Sequence, residues 1–422
     1  MDVYKNLIID TMELLNYNKH WNKDYYYNFK NTRLYFNDLV NNLDSKFINL
    51  LIGLRRVGKT TLMLQLINKL INGGMDRDSI FYYSFDDKNE ISSIINDYLK
   101  ISNKELNSDK LYIFFDEIQK VEDWQNKIKT YYDLYPNIKF ILSGSSSVFL
   151  RSTESLAGRI NITEIKPLFF EEYLDFKDKL YFLEKPKLYE QSLILEFEKY
   201  LYRQYYDTIN LNLIEAKNYI KNLKNKIIKE DAKDYFDIKY PDLLLRLFDI
   251  IASSPGMTID YHNLGNDLGV DPRTVQTYIY YLEESFLINK VYNYSPNLLT
   301  SEKKQKKIYI KSCSFYTGNG EISGELYENY IQNYFDFKYF FRFNNKEVDF
   351  IGVSESGDIS GVEVKYKERI KKDDLKGLNF FEKKFKIDNK IIISKNNDTN
   401  LGDVKVLPFW KISNLKDINS GI

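Results

Sequence analysis

Three short stretches in the first half of the chain carry residue types at spacings that fit phosphate chemistry. In Leu50-Leu51-Ile52-Gly53-Leu54-Arg55-Arg56-Val57-Gly58-Lys59-Thr60-Thr61, the run from Gly53 to Thr60 satisfies G-x-x-x-x-G-K-[ST] in full. Gly53 and Gly58 let the backbone turn, so successive N–H groups from Leu54, Arg55, Arg56 and Val57 through Thr61 converge on phosphate oxygens at a helix N-terminus. Lys59 would reach the β- and γ-phosphates and Thr60 would hold Mg²⁺. The second stretch, Leu111-Tyr112-Ile113-Phe114-Phe115-Asp116-Glu117-Ile118, is an apolar run ending in two acids. Asp116 can hold Mg²⁺ through water opposite Thr60, and Glu117 can orient or deprotonate the attacking water. The third runs from Lys139 to Ser143 and on into Gly144-Ser145-Ser146-Ser147. Ser143 and Ser145 compete there for contact with the γ-phosphate and the attacking water, a helix-capping serine cluster being the structural alternative. Together these residues imply ATP and Mg²⁺ as ligands.

A second set lies toward the other end. Glu347-Val348-Asp349-Phe350 and Gly361-Val362-Glu363-Val364-Lys365 read as paired strands joined by the turn Glu355-Ser356-Gly357-Asp358. Residues two apart on a strand share a face, so Glu363 and Lys365 point together and Asp349 on the neighbouring strand can meet them. Asp349 and Glu363 would bind Mg²⁺, Lys365 would orient water or stabilise charge, and Glu328 could complete the metal shell from the preceding helix. Glu347 shares the face by parity and either assists or is solvated. An acid, a hairpin and acid-x-lysine resemble the PD-(D/E)xK nuclease core.

These residues need a scaffold. An apolar run over Phe47 to Ile52 predicts a buried strand feeding the loop, and Thr61 to Ile71 predicts an amphipathic helix leaving it. Further strands are expected over 79–87, 111–116 and 139–143, with a helix around Ile91 to Leu99. Such alternation argues a doubly wound parallel sheet with ligand at the carboxyl ends of its strands. Farther along, Gly269 can close a short helix, Asp271 can cap the next and Pro272 suits its first position, which makes a helix-turn-helix. Strands near Ile288 to Tyr292 and Ile308 to Ile310 would form its wing. Arg273, Gln276 and the run Lys303-Lys304-Gln305-Lys306-Lys307 are the candidate DNA contacts, with a solvated lysine loop as the alternative.

Composition restrains that reading. The chain has 422 residues, too many for one ordinary core, with 60 Lys and Arg against 60 Asp and Glu. No global field steers it to nucleic acid or an anionic membrane. Residues 240–315 and 316–422 are each balanced as well, unlike a dedicated DNA reader. One cysteine, Cys313, excludes an intrachain disulfide, and with two histidines zinc chemistry is not expected. Neither a secretory signal nor a membrane-length apolar run is present, so a cytoplasmic protein is expected.

The paired arginines in the phosphate loop, Asp-Glu-Ile, Gly-Ser-Ser, Leu156-Ala157-Gly158-Arg159 and Pro167-Leu168-Phe169-Phe170-Glu171-Glu172-Tyr173-Leu174, in that order, resemble the archaeal and bacterial AAA+ type P-loop ATPases that carry a C-terminal domain of uncharacterised function. The Glu328 helix, Glu-Val-Asp-Phe and Glu-Val-Lys match that same group. The resemblance implies an α/β P-loop core, a helical lid, a winged helix-turn-helix and a C-terminal restriction-endonuclease-like α/β domain. It makes Arg159 a candidate γ-phosphate sensor or finger, a surface charge being the other reading. The expected division is a helical extension over 1–32, an ATPase core over 33–175, a lid over 176–240, a winged helix over 241–315 and a nuclease-like domain over 316–422. Two departures stand out: no glycine-proline turn follows Phe197-Glu198-Lys199-Tyr200-Leu201, and Ser312 stands where the family tends to have aspartate. Two functions follow. One is an ATPase coupled to DNA binding or processing. The other is a nucleotide-controlled switch, a homo-oligomer or partner-docking protein whose C-terminal domain does not cleave.

Overall fold

A computed structural model describes residues 12–86, 90–145, 156–318 and 322–419. The chain divides into two compact units, Met1–Lys166 and Pro167–Ile422.

The first unit is built on five parallel strands in the order β2-β3-β4-β1-β5, with β1 Ile48–Ile52, β2 Ile80–Ser84, β3 Leu111–Asp116, β4 Ile138–Gly144 and β5 Ile160–Glu164. Every residue of β1, β2 and β3 is buried, as expected of parallel strands covered on both faces. Helix α1 Phe36–Asn42 precedes β1, and the crossovers include α2 Lys59–Asn72, α3 Ile91–Ser102 and α4 Trp124–Leu134. Helix α2 buries Leu62, Met63, Leu66 and Ile67 and begins directly at the glycine-rich loop. Two glycines are forced there. A Cβ on Gly53 would lie 2.3 Å from the Ile165 carbonyl oxygen, and Gly58 sits at φ +96°.

The second unit holds a nine-stranded mixed sheet in the order β13-β14-β12-β11-β10-β9-β7-β8-β6. Its members are β6 Met257–Thr258, β7 Ile288–Asn293, β8 Lys306–Ile310, β9 Tyr339–Phe343, β10 Lys346–Val353, β11 Ile359–Lys365, β12 Asn389–Ser394, β13 Thr399–Leu401 and β14 Val404–Pro408. Helices α5 Phe170–Phe176 and α6 Glu190–Tyr200 belong to this unit, where Phe197 stacks on Phe409 at 3.9 Å. Helix α7 Pro241–Ser253 precedes the helix-turn-helix, α8 Tyr261–Leu268 and α9 Pro272–Glu284. Gly269 closes α8 at φ +71°, and Asp271 caps α9 by accepting from Arg273 N–H, with Pro272 at the first turn. The wing strands β7 and β8 pair antiparallel, and β7 also pairs in parallel with β9 at Tyr292–Tyr339. The wing and the C-terminal segment therefore share one sheet. Ser312 donates to the Gln204 side chain at 2.8 Å, and Gln204 Oε1 also accepts from Cys313 N–H at 2.7 Å. These buried hydrogen bonds tie the two segments together within the second unit.

Candidate functional site

At the carboxyl ends of β1, β3 and β4 the first unit gathers its polar residues around Asp116. Thr60 Oγ1 donates to Asp116 Oδ2 at 2.5 Å, and Tyr82 from β2 donates to the same oxygen at 3.0 Å. On the other carboxylate oxygen the Ser143 hydroxyl and the Glu117 N–H (3.1 Å) converge. Asp116 is thus held at both oxygens by four donors, in a residue only 3% exposed. A buried carboxylate without such donors would be costly, and with them its orientation is fixed. Lys59, also buried, donates to the carbonyls of Gly53 and Leu54 at 2.8 and 2.9 Å. Its ammonium curls over the loop into which phosphate would enter.

Of the two serines, Ser143 binds Asp116 and Ser145 approaches Glu117, 3.2 Å from its Oε2. Glu117 follows β3 in a left-handed conformation (φ +52°) that turns it away from the strand. Gln119, which sequence reasoning passed over, donates to the same Glu117 oxygen at 2.5 Å and to Ser145 at 3.0 Å. Arg33 was also missed: its buried guanidinium donates to the Val57 carbonyl of the loop and to the Lys166 carbonyl at 2.9 Å. Ser146 and Ser147 lie outside the described residues. Arg159 is not brought to the loop. Ile48 N–H donates to Arg159 O, which sets it level with the start of β1, and its guanidinium pairs with Asp133 at 2.9 Å. Strands rise about 3.3 Å per residue, so the length of β1 separates Arg159 from the phosphate loop. The sensor expectation fails within its own chain.

The donor set fits Mg²⁺. A hydroxyl and a carboxylate are hard oxygen ligands, and Mg²⁺ takes one or two protein oxygens with phosphate and water completing the shell. Among the described residues no group of three or more His, Cys, Asp and Glu side chains is arranged to hold a metal by itself. The loop bears the same fit: Gly53 has no room for a side chain, and Gly58 opens α2 toward an anion.

In the second unit Lys365 Nζ lies 2.6 Å from Glu363 and 3.1 Å from Asp349, whose Oδ2 also accepts the Val364 N–H at 2.8 Å. These three residues meet. Glu328, on α10 Gly324–Phe335, instead accepts from the Tyr309 hydroxyl and from Lys307 at 3.0 Å. Lys307 also pairs with Glu347 at 2.5 Å, and Glu347 with Arg342 at 2.5 Å. Burial first, and then the Asp349 charge, push the Glu328 and Glu363 carboxyls above the usual range, against the pull of Lys307 and Lys365 respectively. Burial alone would lower the two ammonium groups, but the surrounding acids outweigh it and both are raised.

Lys307 is therefore neither a DNA contact nor a solvated loop residue. It is 4% exposed on β8, its charge spent inside the protein, and Lys306 on the same strand donates to the Glu302 carbonyl at 2.6 Å. By contrast Arg273 and Gln276 on α9 are exposed. Replacing Lys307 with Met should leave Glu328 and Glu347 short of a buried counter-ion and cost about 3 kcal/mol or more of stability, read by urea unfolding. A loss below about 0.5 kcal/mol would contradict the assigned network.

Residues 45–174 match the family model described as an AAA domain. Residues 194–317 and 322–412 match two models of domains of unknown function, DUF8612 and DUF4143. The first unit accordingly has an AAA+-like P-loop ATPase fold. An uncharacterised protein of Methanocaldococcus jannaschii, MJ1544, is 26% identical over 97% of this chain and 95% of its own length. A second from that organism, MJ1637, is 28% identical over 62% of this chain and 60% of its own length. An uncharacterised protein of Haemophilus influenzae is 24% identical over 75% of this chain and 82% of its own. Among solved structures, a Walker-type ATPase of Pyrococcus abyssi overlaps with TM-score 0.37 and 14% identity, covering 67% of this chain and 93% of that one. AMPPCP-bound DnaA from Aquifex aeolicus overlaps at 0.28 and 18%, covering 59% and 86%. Overlaps this partial say nothing of activity. No helix among the described residues is long and apolar enough to cross a membrane.

Proposed function

We propose that the first unit binds and hydrolyses Mg-ATP, and that the second unit couples this cycle to DNA binding or processing. The observation that carries the ATP reading is the convergence of Thr60, Ser143 and the Glu117 N–H on Asp116, beside a complete Gly53 to Thr60 loop. Lys59 and the loop N–H groups would hold the phosphates, and Thr60 and Asp116 would hold Mg²⁺, which supplies charge neutralisation on the phosphate oxygens when bound. Glu117, with Ser145 beside it, would orient water and accept its proton. Arg159 could act only on a neighbouring copy of the chain.

The DNA half of the proposal rests on the exposed Arg273 and Gln276 at the start of a well-capped second helix, and on the meeting of Asp349, Glu363 and Lys365 in the manner of a nuclease-like site. Phosphate release measured with and without single-stranded and duplex DNA tests it. Stimulation by DNA, with Mg²⁺-dependent cleavage lost in Lys365→Ala, is expected. No stimulation and no DNA affinity at low salt would contradict it. One observation favours a second reading, a nucleotide-controlled switch with a non-cleaving C-terminal part: Lys307, Arg342 and Lys365 already neutralise its buried acids. In that reading Glu117→Gln held with ATP changes its oligomeric size or its binding to a protein partner. The apo and ADP forms do not share that change. Both readings place the protein in the cytoplasm.

A further inference from the structure

The segment before α1 is bound along the open edge of β2. Asn18 behaves there as a substitute strand: its side-chain oxygen accepts the Tyr82 N–H at 2.7 Å and its amide donates to the Tyr82 carbonyl at 3.0 Å. Two residues on, His20 Nε2 lies 3.0 Å from the Ile80 carbonyl oxygen, and Trp21 Nε1 donates to the same oxygen at 2.9 Å. Asn18 and His20 are completely buried. Tyr17 packs its ring on those of Tyr82 and Tyr83, at centroid distances of 6.2 and 5.0 Å. An edge strand ordinarily leaves its peptide groups to solvent or to another strand. Here one side-chain amide takes both groups of a single residue, and that residue is Tyr82.

Tyr82 is the β2 residue whose hydroxyl donates to Asp116 Oδ2, the oxygen that Thr60 also holds. Its phenol is buried, and a tyrosine hydroxyl is a protonated donor at neutral pH. We infer that Tyr82 and Asn18 are positioning residues for the metal-binding carboxylate: Asn18 fixes the Tyr82 backbone, and the Tyr82 hydroxyl fixes the rotamer of Asp116. The inference rests on the ATP reading of the site. Groups one shell out from a metal ligand set its orientation and affinity, and losing one commonly costs ten- to a hundred-fold.

The test uses the full chain and reads metal binding apart from turnover. Mn²⁺ affinity in the presence of ADP is measured by electron paramagnetic resonance for wild type, Tyr82→Phe, Asn18→Ala and Lys59→Ala, with metal-free ADP affinity measured alongside. Tyr82→Phe keeps the buried ring and removes only the donor. It should weaken Mn²⁺ about tenfold while changing metal-free ADP affinity less than twofold. Asn18→Ala should follow in the same direction, and Lys59→Ala should weaken binding of the nucleotide itself, with or without metal. Wild-type Mn²⁺ affinity in Tyr82→Phe would overturn the positioning inference and leave the ATP reading standing. A wild-type protein that binds neither ADP nor Mn²⁺-ADP would overturn both.

Discussion

Glu117→Gln should bind ATP with near wild-type affinity and turn it over at least a hundredfold more slowly. Its carboxylate follows β3 beside Ser145 and Gln119, and in the proposed mechanism it is the group that would accept a proton from water. Asp116 already accepts from Thr60, Tyr82, Ser143 and the Glu117 N–H and is assigned to the metal. Glutamine keeps the size of the side chain but not its basicity, and general base catalysis contributes factors of roughly 10² to 10⁴. Its effect should lie in kcat, with the ATP dissociation constant within about threefold of wild type. Single-turnover phosphate release together with equilibrium ATP binding separates the two quantities. Equal turnover in the variant would remove Glu117 from the mechanism.

Lys59→Ala should have the opposite signature, loss of binding first. The ammonium is buried at the loop, held by the carbonyls of Gly53 and Leu54. Phosphate oxygens would be stronger acceptors than those carbonyls, because both partners of the hydrogen bond would then be charged. Losing such a bond costs about 1.5 to 3 kcal/mol, or roughly ten- to a hundredfold in nucleotide affinity. Isothermal titration with ATP reads this directly. Affinity within twofold of wild type would show that Lys59 does not touch phosphate.

How much of this was legible in the sequence depends on the range of the interaction. The phosphate loop, the acids at the end of β3 and the caps of the helix-turn-helix are local patterns, set by residues within a few positions of one another. The hairpin of β10 and β11 is local too, and strand parity was enough to bring Asp349 to Glu363 and Lys365. Tyr82 and Asn18 were not legible, because a tyrosine inside an apolar run looks like core and an asparagine before it looks like loop. Only the sheet order, which seats β2 beside β3, turns the phenol toward Asp116. Lys307 was misread for a related reason. A run of lysines suggests solvent, but strand alternation puts one of them inward, where Glu328 and Glu347 wait. The continuity of the wing with the C-terminal sheet is a pairing between Tyr292 and Tyr339, too far apart in sequence for any local signal. Arg159 followed from resemblance alone, and the strand order set it at the far end of β5.

The most direct measurement of the central claim is ATP hydrolysis by the full chain across a Mg²⁺ titration, with an EDTA control and Glu117→Gln alongside. Phosphate release should rise with Mg²⁺, stop in EDTA and be nearly absent in the variant. Phosphate release unaffected by EDTA, or no release from wild type at saturating Mg²⁺ and ATP with DNA present, would contradict it.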